Sequence, residues 1–92
     1  MTRQEVYQVI DSERDYQDAK WGGIHHDAEH SVGDFIIYME HYINKAKQEY
    51  TTGFYTDDLA LENLRKVTAL GVALGEIFGY PYRTLTNKVW QQ

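Results

Sequence analysis

Residues 32–50 read VGDFIIYMEHYINKAKQEY, the most regular helical pattern in the chain. The apolar side chains recur every three or four positions, a spacing that gathers them on one face of an α-helix. Ser31 precedes the stretch and Asp34 follows three residues later, a pair typical of a helix N-terminus. The pattern therefore predicts an amphipathic helix over residues 32–50, whose apolar stripe consists of Val32, Phe35, Ile36, Met39, Ile43, Ala46 and Tyr50.

C-terminal to this helix, residues 51–56 read TTGFYT and are predicted to form a turn. A further helix is predicted over about residues 58–78, apolar over a wide arc. Glycine recurs within it at every fourth position, although each helical glycine costs about 1 kcal/mol relative to alanine. We expect the glycine row, Gly71, Gly75 and Gly79, to admit another helix at close range.

N-terminal to the 32–50 helix, Thr2 and Glu5 form a capping-box pattern, and a helix is predicted over residues 3–20. The paired glycines at 22–23 end it. Its second half is almost wholly polar and is expected to face water or another subunit. The apolar residues predicted to anchor the helix lie in its first turns: Val6, Val9 and Ile10.

The three segments predict one all-α domain over residues 1–92, a helical hairpin or small bundle with main helices at about 3–20, 32–50 and 58–78. The apolar arc of the last helix is too wide for two neighbours to cover, so we expect a homo-oligomer. Pro81 prevents this helix from continuing. Residues 84–92 are expected to form a short helix or an arm, with Val89 and Trp90 docking on a neighbour.

The composition excludes several classes of function. The formal net charge is −5, which disfavours binding to an extended nucleic acid. No stretch approaches the ~20 apolar residues that span a bilayer, so no membrane partner is expected. The first residues do not form a signal peptide, and the absence of cysteine fits a reducing compartment. These features together predict a cytoplasmic protein.

Residues 20–31, KWGGIHHDAEHS, form a polar connection between the first two main helices. His26 and His30 are four residues apart, which on a helix would place both imidazoles on one face, as in a metal site. The segment precedes a helix cap, however, so helical spacing is not assured, and the His-Glu-x-x-His motif is absent. We therefore expect the loop to contact a ligand or the next helix without a metal ion, with His26 and His30 as the alternative metal ligands.

The same region resembles small phage and prophage proteins of the MazG-like type, related in name to all-α nucleoside triphosphate pyrophosphohydrolases. Their pattern is an acidic residue and Arg, then Gln, then Lys-Trp-Gly-Gly, a His-Asp-rich turn and an amphipathic helix. The resemblance covers about residues 13–78 and implies a phage protein that handles nucleotides in the cytoplasm of an infected bacterium. It is carried by residues 13–23, His26-Asp27, His30-Ser31, Asp34-Phe35, residues 64–73 and Glu76.

The chain departs from the MazG pattern where those enzymes bind Mg²⁺. They carry Glu-Glu-x-x-Glu on one helix and Glu-x-x-Asp on the next, whereas this chain reads EHYIN at 40–44 and ENLR at 62–65. Mg²⁺ needs oxygen ligands, while the arginine that replaces Asp is suited to phosphate. We therefore expect neither catalysis nor a cofactor, with Mg²⁺-dependent hydrolysis by Glu40 and Glu62 as the alternative.

Basic and aromatic residues cluster around the polar connection, a combination suited to phosphates and to stacked bases. By analogy, we expect a phage protein that sequesters a nucleotide second messenger of host immunity, such as a cyclic dinucleotide, without cleaving it. The alternatives are a divergent pyrophosphohydrolase and an inhibitor that binds a host protein. The predicted ligand-binding residues are Arg14, Tyr16, Lys20, Trp21, His26, Asp27, His30, Tyr38, Tyr42 and Arg65.

Overall fold

The computed structural model describes residues 1–51 and 57–84, which contain helices and no strand. The all-α prediction is confirmed, and the three main helices begin and end within one residue of their predicted bounds. A short additional helix was not predicted. The rest of the predicted turn, residues 52–56, and residues 85–92 with Val89 and Trp90 lie outside the described residues. In chain order the helices are α1 (Arg3–Trp21), α2 (Ile24–Asp27), α3 (Val32–Thr51) and α4 (Asp57–Phe78).

Both expected capping pairs are present at the N-termini of α1 and α3. The Glu5 amide donates to the Thr2 hydroxyl at 3.1 Å, and the Thr2 amide donates to the Glu5 carboxylate at 3.3 Å. Asp34 and Ser31 exchange the same two bonds at 3.1 and 3.0 Å. At the other end of α1, Gly22 has φ 98°, a left-handed conformation that strains residues with a side chain.

Helix α4 is central, because α1, α2 and α3 each pack against it. Helix α3 runs antiparallel to α4: Asn63 donates to Glu49 at 2.9 Å, and further along the pair Gly71 lies against Met39. The apolar core is small, as expected for a chain of this length. It contains Phe35, Leu70 and Ala73, with Trp21, Met39, Tyr42 and Leu74 packed around them.

Helix α1 is attached to α4 by polar side chains. Glu13 is 6% exposed and Gln17 is 2% exposed. Arg65 on α4 donates from Nε to the Glu13 carboxylate at 2.7 Å, and the Gln17 amide donates to the backbone carbonyl of Lys66 at 3.5 Å. Buried polar groups need such partners. These contacts, called the α1–α4 seam below, therefore fix both the position and the orientation of α1.

The predicted attachment of α1 was therefore wrong in two respects. Of the three apolar residues in its first turns only Ile10 is buried, whereas Val6 is 41% exposed. The polar second half, expected to face water or another subunit, instead packs against α4 within the same chain. The physical reason is that α4 supplies charged and carbonyl partners for these polar groups.

The glycine row of α4 has three different local causes. Gly71 faces α3, where an added Cβ would lie 3.6 Å from Cε of Met39. Gly75 lies beneath the ring of Tyr80, which a Cβ would approach to 2.5 Å. Gly79 has φ 77° and turns the chain so that Tyr80 folds back onto α4. The prediction of an approaching helix thus applies to Gly71, while at Gly75 the chain's own aromatic ring takes that place.

Large apolar side chains remain on the outside of the main helices. On α3, Ile36 and Ile37 are 58% and 62% exposed, and on α4 Leu61 is 59% exposed. Within residues 1–51 and 57–84, no helix is long and apolar enough to cross a membrane. The exposed apolar side chains are consistent with the predicted homo-oligomer, which stays a prediction.

Candidate functional site

A cavity of about 350 Å³ lies where the end of α1, the short α2 and the first half of α3 meet α4. Its walls are mainly aromatic, and three imidazoles share them. Cavities of this size and lining are typical of small-molecule sites. The lining residues are Trp21, His26, Asp27, His30, Phe35, Tyr38, His41, Tyr42 and Leu70.

The local sequence explains how these residues converge. Gly22 and Gly23 both have positive φ, so the chain reverses after Trp21 and α2 begins at once. On α3, Phe35, Tyr38 and Tyr42 are spaced by three and four residues and therefore share one face. The positive-φ turn and the helical spacing together bring rings from two distant segments to one cavity.

The imidazoles of His26 and His30 are in direct contact. Their Nε2 atoms lie 3.3 Å apart, and their ring centroids lie 4.9 Å apart in an edge-on arrangement. His30 Nδ1, on the opposite side of its ring, lies 3.5 Å from a carboxylate oxygen of Asp34 and 3.5 Å from the Tyr38 hydroxyl. The His30 ring is therefore oriented by two side chains of α3, Asp34 in the first turn of that helix and Tyr38 in the next turn.

Three lysine ammonium groups stand over the aromatic walls. Lys20 Nζ lies 5.6 Å from the ring centroid of Trp21 and 5.8 Å from that of Tyr16. Lys66 and Lys45 lie 5.5 and 5.8 Å from the ring of Tyr42. These distances allow cation–π attraction. They place positive charge close to rings of the cavity wall, in a chain whose formal net charge is −5, while none of the three lysines lines the cavity itself.

Arg14 lies beneath the cavity and is 7% exposed. Its guanidinium donates to Asp27 at 3.2 Å, to Gln17 and Asp18 at 2.9 Å, and to Glu76 at 3.3 Å. The arginine thus compensates the charge of the buried Asp27 carboxylate. Arg14 was predicted to bind the ligand, but all three guanidinium nitrogens donate within the protein, so the structure places it as a support of Asp27.

Tyr16 and Arg65, also predicted to bind the ligand, line a second and more open cavity of about 440 Å³ on the α1–α4 seam. Arg65 is paired there with Glu13. Lys66 lines this second cavity and also covers Tyr42, so it lies between the two cavities. The main cavity brings together six of the ten predicted residues, and Lys20 lies over the ring of one of them, Trp21. The six are Trp21, His26, Asp27, His30, Tyr38 and Tyr42.

Three lining residues were not predicted: Phe35, His41 and Leu70. Phe35 and Leu70 belong to the apolar stripes and were expected in the core, where they also lie. His41 could have been found from the sequence, because it follows Tyr38 by three residues and must lie near it on the helix surface.

The two glutamates of the alternative hydrolase are not brought together. In the α3–α4 pair Asn63 contacts Glu49, so Glu62 lies beside that end of α3. Glu40 is nine residues away along α3, about 13 Å at the helical rise of ~1.5 Å per residue. Both glutamates are exposed. Over the part of the chain that is described, no three His, Asp or Glu side chains are grouped to hold a metal ion.

Comparison of the chain with models of known protein families, with curated proteins and with solved structures gives no match. The resemblance to MazG-like phage proteins therefore stays a prediction. The features of the described residues that bear on function are the aromatic cavity, its imidazoles and the lysines over two of its rings.

Proposed function

We propose that the protein binds a small nucleotide in the aromatic cavity and releases it unchanged. The observation that carries the proposal is the combination of ring walls with Lys20, Lys45 and Lys66 over two of those rings, in an acidic chain. An aromatic base and an anionic phosphate are the two parts of a ligand that such a site attracts. The overall negative charge disfavours long polyanions, so a small ligand fits better than an extended nucleic acid.

In this proposal a base stacks on Trp21 or Tyr42, and the phosphate lies toward the lysines and the imidazole of His26. Base–aromatic stacking contributes about 1–3 kcal/mol per base. The cavity volume of about 350 Å³ is at the low end of the range for small-molecule sites. We therefore assign one base to each cavity, so a cyclic dinucleotide would bridge the cavities of two copies of the chain.

The biological setting of the proposal is the one the sequence resemblance implies. A phage protein that retains a nucleotide second messenger would keep it from the immune effectors of the infected bacterium. The separation of Glu40 from Glu62 favours retention over Mg²⁺-dependent hydrolysis, since one ion needs several oxygen ligands at about 2.1 Å.

The test is to incubate the purified chain with nucleoside triphosphates and with cyclic di- and trinucleotides in the presence of Mg²⁺. The protein is then separated from free ligand, denatured, and the recovered nucleotide identified by chromatography. We expect one nucleotide class to be retained and recovered intact. Recovery of a cleaved product would show hydrolysis and contradict the proposal. If no nucleotide is retained, nucleotide binding is refuted and a protein partner becomes the next hypothesis.

Two substitutions locate the binding site in the same assay. Tyr42→Ala removes a wall of the cavity and should weaken binding about 10- to 100-fold, the loss expected for one stacking contact. Tyr82→Ala is the matched control, because Tyr82 is 97% exposed and does not line the cavity. Equal affinity of the two variants would show that the nucleotide binds elsewhere.

A further inference from the structure

We propose that His26 and His30 form a binding site for a divalent transition-metal ion, with Zn²⁺ as the common ion that fits best. Binding of the metal ion at this site does not require a bound nucleotide. It starts from the position of two nitrogen atoms, the Nε2 atoms of the two imidazoles, which face each other at 3.3 Å.

The separation matches the geometry of tetrahedral zinc. Zn–N bonds are about 2.0–2.1 Å long, so two nitrogens on one tetrahedral ion lie about 3.3–3.4 Å apart. The alternative is a direct hydrogen bond, in which one Nε2–H donates to the other Nε2. The distance of 3.3 Å also allows this hydrogen bond, as it does between Arg14 and Glu76, so titration with a metal ion decides between the two. A metal ion satisfies both nitrogen lone pairs at once.

The second observation is the carboxylate behind His30. A metal-bound histidine commonly donates its other ring N–H to a carboxylate, which fixes the ring and strengthens the nitrogen as a ligand. His30 Nδ1 lies 3.5 Å from Asp34 Oδ2 and 3.5 Å from the Tyr38 hydroxyl, so the carboxylate is close to the ring nitrogen but beyond ordinary hydrogen-bond length. The capping bond from the Ser31 amide, at 3.0 Å, holds that carboxylate in place.

Both histidines line the cavity, so an ion held between them would lie at its wall. Solvent can fill the remaining coordination positions, so the site has two protein ligands and an open side. A closed structural zinc site would carry four protein ligands. The ion would add positive charge to a cavity that already has lysines over two of its wall rings, which suits an anionic ligand.

The experiment titrates the full chain, with any purification tag removed, with ZnCl₂ in the absence of nucleotide, using calorimetry near pH 7.5. We expect one ion per chain. His26→Gln and His30→Gln should each weaken binding at least about 10- to 100-fold, the loss seen when even an outer-shell partner is removed. His25→Gln is the matched control, since His25 is exposed, adjacent in sequence and outside the cavity lining, and should bind as the unmodified chain does.

A second measurement needs no substitution. Zn²⁺ added to the unmodified chain should shift the imidazole NMR signals of His26 and His30 while leaving those of His25 unchanged. Absence of binding at millimolar Zn²⁺, shifts confined to other histidines, or full affinity in both His26→Gln and His30→Gln would overturn the proposal. Because nucleotide is absent throughout, such a result would leave the proposed nucleotide function to its own test.

Discussion

Arg14 joins α1, α2 and α4 through a single guanidinium group. Its partners on α1 are Gln17 and Asp18, while Asp27 belongs to α2 and Glu76 to α4. The carboxylates of Asp18 and Glu76 are about half exposed, so solvent screens them. Asp27 is different, because its side chain is only 11% exposed and water cannot replace the arginine there.

Removing Arg14 should therefore destabilise the fold mainly through Asp27. We expect Arg14→Ala to lower the free energy of unfolding by about 3 kcal/mol, the low end of the cost of breaking a buried pair. Adding Asp27→Asn should recover part of this loss, since it removes the uncompensated charge. Urea unfolding followed by circular dichroism measures both effects. Arg3→Ala, at an exposed site, is the control, and an equal loss there would refute the role of Arg14.

Asp34 links the N-terminus of α3 to the pH dependence of stability. The hydrogen bond from the Ser31 amide holds the pKa of the Asp34 carboxyl below its ordinary value of 3.8. A lowered pKa in the folded state means that the charged form stabilises the fold above pH 3.8, and that this contribution is lost as the pH falls through the folded-state pKa.

Asp34→Asn should accordingly be less stable than the unmodified chain at pH 6, with a smaller difference at pH 3. The measurement is urea unfolding of both proteins at the two pH values. Asp11→Asn, at an exposed position of α1 outside any capping pair, serves as the control. A difference between Asp34→Asn and the unmodified chain that stays constant with pH would contradict the assignment.

At the scale of elements, apolar periodicity predicted α3 and α4, and capping pairs predicted where α1 and α3 begin. Both signals are local, within about one helical turn, and can be read from one sequence. The attachment of α1 could not be predicted in this way. The partners of Glu13 and Gln17 lie 52 and 49 residues away on α4, and no local pattern pairs them. Helix α2 has only four residues, too few for a period.

Only those features of the cavity that follow from local sequence signals could be predicted. Its rings on α3 follow helical spacing, and the Lys-Trp-Gly-Gly stretch marked the turn that brings Trp21 to them. Arg14 was assigned to the ligand because basic and aromatic residues cluster around the polar connection, and no local pattern pairs it with Asp27, 13 residues further on. Only the folded structure shows that the Arg14 guanidinium compensates the charge of the buried Asp27 carboxylate.

The contact between Gly75 and Tyr80 gives a prediction at the end of α4. Alanine in place of a helical glycine stabilises a helix by about 1 kcal/mol, but here its Cβ would displace the Tyr80 ring. We expect Gly75→Ala to stabilise the Tyr80→Ala variant by about 1 kcal/mol and the unmodified chain by clearly less. Thermal unfolding of the four proteins in this cycle gives the coupling. Equal effects in both backgrounds would show that the Tyr80 ring does not require a glycine at position 75.

The small core and the exposed apolar side chains together indicate that a single copy of the chain buries only part of its apolar surface. Four of the seven buried apolar residues of the described chain are alanines, and the larger ones are Ile10, Phe35 and Leu70. Ile36 and Ile37 on α3, by contrast, are 58% and 62% exposed. Burying such side chains contributes about 1.5–3 kcal/mol each, so a second copy of the chain could add stability that a single copy lacks.

We therefore expect the chain to form a homo-oligomer through the outer face of α3. Ile37→Lys should shift the molar mass measured by light scattering during size-exclusion chromatography toward the monomer, because a charge cannot be buried there unpaired. Gln8→Lys adds the same charge on α1 and should leave the mass unchanged. Retained helicity by circular dichroism distinguishes dissociation from unfolding. A monomeric unmodified chain at all concentrations would refute the oligomer, and with it the bridging of two cavities by one cyclic dinucleotide.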